Sequence, residues 1–186
     1  MQRASTPCVA LSRAFSEEGN QVQHDDLELK YWGDQLTTWP KEWTDHVNLP
    51  DAARDYLHNV GLPAGQDWNL EILPASQPVR IRDGLVELIH DGPVPLCVDE
   101  ENGGRVVAVE EEGARERLVN SDVVCLGRFL MLYQQYRVAV RNVSGDEAET
   151  LIASTLTAMQ SADPSAMSQK ENYWMVIVEQ MRDGLL

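Results

Sequence analysis

The chain has 186 residues, 43% of them hydrophobic, which suits one globular domain with its own core and excludes a disordered chain. It carries 30 acidic residues against 15 basic ones, a formal net charge of −15. Such a field repels phosphate backbones and anionic lipid, so nucleic acid and membrane surfaces are poor direct partners and a basic protein is the natural complement.

Residues 1–30 read as an N-terminal arm, partly disordered or loosely docked, because 12–26 is polar and Ser16-Glu17-Glu18-Gly19-Asn20 has loop composition. No continuous apolar run marks a signal peptide there, and no stretch approaches the ~18 apolar residues of a membrane helix. Residues 31–186 read as a single domain. Trp32, Trp39, Trp43 and Trp68 lie in polar, loop-like surroundings. Aromatics so placed serve as interface anchors or as lids over a core edge.

The first strongly patterned element is a helix over 50–60, with Leu49, Ala52, Ala53, Tyr56, Leu57 and Val60 at helical spacing. Pro50 fits its first turn, and Gly61 and Pro63 fit its end. Short strands follow at 71–74 and 85–90, the latter opened by the Asp83-Gly84 turn. The runs 95–99 and 105–110 flank Glu100-Glu101-Asn102-Gly103-Gly104, which predicts a hairpin in which Gly103 and Gly104 supply positive φ. Another short strand is expected at 118–119. Helical periodicity returns with Val123, Leu126, Leu130 and Tyr133, capped by Asn120 or Ser121. Ser144-Gly145-Asp146-Glu147 has the form of a capping box for a further helix, Asp163-Pro164 ends it, and a last amphipathic helix is expected over 171–182. Helices grouped around a run of strands indicate an α+β fold. The expectation is an N-terminal helix, a central antiparallel or mixed sheet of about four to six strands, and C-terminal helices packed on it.

These residues resemble a known family. Leu49-Pro50-Asp51-Ala52-Ala53-Arg54-Asp55-Tyr56-Leu57 followed by Val60-Gly61-Leu62-Pro63 is similar to the opening helix of SUKH proteins. The 95–110 hairpin, Val119-Asn120-Ser121 leading into Phe129-Leu130, and the late Tyr173-Trp174 helix resemble the fourth SUKH family in particular. The resemblance runs from about 39 to 181. It departs at Asn120-Ser121-Asp122, where family members often carry Asn-Ser-Ser. It implies a non-enzymatic, cytoplasmic immunity protein of a bacterial toxin system. Such a protein binds and occludes a cognate toxin of nuclease or nucleic-acid deaminase class. A SUKH-like interaction or regulatory module without a toxin partner is the alternative.

Catalytic chemistry finds little support. His24-Asp25-Asp26 cannot aim all three side chains one way, and Glu42 and His46 share helical spacing only. Cys8, Cys97 and Cys125 are far apart, with no CxxC, so no disulfide framework, metal site or cofactor is expected. No nucleophile elbow, Walker A or dinucleotide fingerprint occurs. What remains are two acidic runs, Asp99-Glu100-Glu101 and Glu110-Glu111-Glu112, each bordering a turn and expected to be exposed. They are either solvated charge or the contacts for arginines and lysines of a basic toxin.

Overall fold

A computed structural model describes residues 21–63, 70–72, 78–110 and 115–185. In chain order the elements are α1 (Gln21–Trp32), β1 (Leu36–Thr37), α2 (Lys41–Thr44), α3 (Asp51–Asn59), β2 (Leu62–Pro63), β3 (Leu70–Ile72), β4 (Arg80–Arg82), β5 (Leu85–Asp91), β6 (Val94–Asp99), β7 (Arg105–Glu110), β8 (Arg115–Asn120), α4 (Val123–Val140), α5 (Asp146–Ala162) and α6 (Tyr173–Arg182). The fold is α+β, as the grouping of elements in the sequence implies.

The Gly61-Leu62-Pro63 segment has a definite job. Gly61 ends α3 at φ 83°, and a Cβ there would collide with the Thr37 carbonyl. Only glycine allows this reversal at such close approach. The chain then pairs Leu62 with Thr37 and Pro63 with Leu36, forming a small antiparallel ribbon of β1 and β2.

The main sheet is antiparallel, in the order β3-β5-β6-β7-β8, with β4 also on β5. The expected hairpin is present, with Asp99 opposite Arg105 and Val98 opposite Val106. Strand alternation divides its apolar residues between two faces. Val86, Leu96, Val98, Val106, Ala108 and Val119 join the main core with Leu126, Phe129, Leu130, Met159, Trp174 and Val178 of the helices. Leu85, Cys97, Val107 and Val109 form a separate buried cluster. Arg82, in β4 beyond β5, makes an ion pair with Glu116 of β8 at the far edge. The sheet must therefore curl, so that its two margins approach each other.

Two helix starts differ from the sequence reading. The cap of α4 is Asp122, whose Oδ1 accepts from Cys125 N at 2.7 Å, because Asn120 and Ser121 are engaged elsewhere. The cap of α5 is Gly145 at φ 58°, with no side-chain bond from Ser144. Asp146, Glu147 and Glu149 in its first turn still compensate the helix dipole. The tryptophans differ too. Trp32, Trp39 and Trp43 are buried, the last two with ring centroids 6.0 Å apart, while Trp68 lies outside the described residues. Among the described residues no helix is long and apolar enough to cross a membrane.

Candidate partner-binding surface

The acidic run after β6 is built as a braced turn. Gly103 and Gly104, at φ 72° and 78°, let the chain reverse within a few residues. The turn rests on the start of α3, since a Cβ on Gly104 would lie 3.0 Å from Pro50 Cδ.

Asp99 was expected to be exposed, and it is buried at 3%. Its Oδ1 accepts from Glu101 N and Asn102 N, both at 3.1 Å. Its Oδ2 accepts from Asn102 Nδ2 at 2.8 Å and Arg105 Nε at 3.0 Å. Burial pushes this carboxyl up, but the bonds from Asn102, Arg105 and Glu101 outweigh it and hold the group below the usual aspartate range. The physical reason for the correction is satisfaction: a carboxylate at the base of a tight turn gathers the turn's own N–H groups.

Glu100 is likewise engaged. Its side chain is only 11% exposed, and Oε1 accepts from Asn48 N at 2.8 Å and from Arg80 Nη2 at 2.9 Å. The Glu100 N–H donates to the Gly84 carbonyl at 2.8 Å. Glu100 thus ties the β6–β7 turn to the β4–β5 turn and to the segment before α3. Glu110, half-buried, pairs with Arg117. Glu111 and Glu112 lie outside the described residues.

Glu101 differs from its neighbours. It is exposed, and a Cβ on Gly84 would meet its Cγ at 2.9 Å. The two turns therefore touch, and they present Asp83 and Glu101 together to solvent. Asp51, with 88% of its side chain exposed, stands at the start of α3 beside Pro50. Asp83 escaped the sequence reading because nothing local brings it to Glu101. The Asp83-Gly84 turn was legible, but its neighbour is set by the β4-β5-β6-β7 pairing.

No other chemistry converges here. Burial pushes the Cys97 thiol up to about 12, with Glu87 adding to it, and burial also raises Cys125. Neither is a thiolate nucleophile near neutral pH. His46 Nδ1 meets the Glu42 carbonyl oxygen rather than its carboxylate. The side chains of His24, Asp25 and Asp26 lie outside the described ones. Among the described residues no His, Cys, Asp and Glu group could hold a metal ion.

The arrangement is an α+β scaffold on which two touching turns expose Asp83 and Glu101. The family model for the SUKH-4 immunity protein matches residues 11–180, and the chain belongs to that family. The match starts well before position 39, where the resemblance in the sequence begins, and includes α1. The family is one of immunity proteins and implies a cognate toxin as partner. No curated protein and no solved structure matches the chain.

Proposed function

We propose that this protein neutralises a basic bacterial toxin of the nuclease or nucleic-acid deaminase class by covering its substrate groove, acting in the cytoplasm and without catalysis. The observation that carries the reading is the pair of touching turns that exposes Asp83 and Glu101. Glu101 contacts arginines or lysines of the toxin, and Glu111 and Glu112 are further candidate contacts by charge alone. Asp99, Glu100 and Glu110 act through the shape of the turns. A groove that binds nucleic acid is electropositive, so a rigid acidic projection competes for the same field.

The test is co-expression with the product of the adjacent reading frame, scored by host survival and co-purification. Rescue with a stable 1:1 complex is expected. Asp83→Lys with Glu101→Lys should weaken that complex about tenfold or more, because reversing contact charges replaces attraction with repulsion. Both positions are exposed, so circular dichroism should be unchanged. Rescue and binding that survive the double reversal would remove this surface from the interface. Absence of any toxic neighbour would favour an interaction module without a toxin.

A further inference from the structure

We infer that Arg80 is a positioning residue of the partner contact: through Glu100 it holds the Glu101 turn in place against the β4–β5 turn and the segment before α3. This rests on the proposed toxin-binding role of the two turns.

Arg80 lies on β4, half-exposed, three residues before Asp83. Its Nη2 donates to both carboxylate oxygens of Glu100, at 2.9 and 3.1 Å, and to the His46 carbonyl at 3.1 Å. Glu100 stands directly before Glu101, at the end of β6. The Arg80–Glu100 pair therefore joins the stems of the two touching turns. Asn48 N donates to Glu100 Oε1 at 2.8 Å, and the Glu100 N–H donates to the Gly84 carbonyl at 2.8 Å. Both the side chain and the backbone of Glu100 are thus tied, which leaves the adjoining Glu101 little freedom. A contact residue fixed before the encounter loses less entropy on binding.

Charge gives no reason for a cation here. With a net charge of −15, a basic partner would be better served without one. Attraction and positioning therefore predict opposite signs for the removal of Arg80. A planar guanidinium suits the positioning role, because it meets a carboxylate in a fixed geometry that an ammonium does not reproduce.

Arg80→Met in the full chain tests this. In the free protein, the Asn48 and Glu100 amides should exchange with solvent about tenfold faster, while those of α4 and β7 keep their rates. With the product of the adjacent reading frame, the Kd should rise about tenfold through faster dissociation, although the variant is the more acidic protein. Arg80→Lys, which keeps the charge without the planar fork, should fall between wild type and Arg80→Met in both measurements. Unchanged exchange at Asn48 and Glu100, equal acceleration in every element, or binding that is unchanged or tighter would each overturn the positioning role. The toxin reading fails separately. If Asp83→Lys with Glu101→Lys leaves the complex intact, or no toxic neighbour exists, the contact itself is lost, and exchange in the free protein still decides whether Arg80 fixes the turn.

Discussion

Asp163 is 2% exposed and has every acceptor position used. Its Oδ2 takes Asn120 Nδ2 at 3.2 Å and Ser121 N at 2.7 Å, and its Oδ1 takes Ser121 Oγ at 2.8 Å and Ala166 N at 3.2 Å. Asn120 Oδ1 in turn accepts from Trp174 Nε1 at 2.9 Å. The Asn-Ser pair thus locks the end of β8 to the α5–α6 connection. Asp163→Ala should cost about 3 kcal/mol or more, since several buried donors lose their acceptor, and urea unfolding should show a lower midpoint with unchanged slope. A second residue-scale prediction concerns pH. Glu87 is buried at 5% and faces Cys97 across the strand pair. Burial pushes its carboxyl up, and His90 pulls it only partly back. A folded pKa above the unfolded value means the folded state holds the proton more tightly. Glu87 therefore favours folding most below the ordinary ~4.3 and progressively less as pH rises above it. Asp99, held low, has the opposite sign: its contribution is present above the ordinary ~3.9 and lost in acid. Glu87→Gln should therefore gain stability relative to wild type between pH 5 and 7, measured by urea midpoints. A constant difference between the two proteins across that range would contradict the assignment.

At the scale of elements, helix starts separate side-chain caps from sequence resemblance to caps. Asp122→Ala removes a real bond to Cys125 N and should cost about 1 kcal/mol, whereas Ser144→Ala should cost under about 0.3 kcal/mol. Thermal unfolding of the two variants side by side would decide it. The elements that could be read in advance are those whose pattern is local. The β6–β7 hairpin announced itself by two largely apolar runs around Asn-Gly-Gly, and α3, α4, α5 and α6 by apolar residues at helical spacing. Helix α1 did not, because it seats a glutamate where a pattern search looks for an apolar residue. Trp39 and Trp43 look like loop aromatics because their depth comes from α3 and the main core, not from Thr37, Thr38, Pro40 or Lys41 beside them. Strand β4 is three residues long, too short to be marked by alternation. The acidic runs were found, but charge alone does not reveal that Asp99 faces Arg105 or that Glu100 meets Arg80.

For the whole molecule, a net charge of −15 has two consequences that pull apart. Self-repulsion opposes folding, and exposed pairs such as Lys41–Asp45 offset little of it. The same field extends into solvent and accelerates encounter with a basic partner. The Debye length is ~10 Å at 0.1 M salt and shrinks to ~3 Å at 1 M, so steering should fade with ionic strength while short-range contacts persist. On the proposed function, association with the toxin should slow about ten- to a hundredfold between low and high salt, with dissociation changing far less. Glu101→Lys should flatten that dependence more than Glu147→Lys, because Glu101 stands with Asp83 on the proposed contact and Glu147 lies in the first turn of α5. Stopped-flow association rates for the three proteins across a salt series measure this directly. Equal slopes for both variants would mean that net charge, not the paired turns, guides the encounter. A flat wild-type series would mean that electrostatic steering has no part in recognition, and the search for the contact would then move to the apolar residues left exposed on α1.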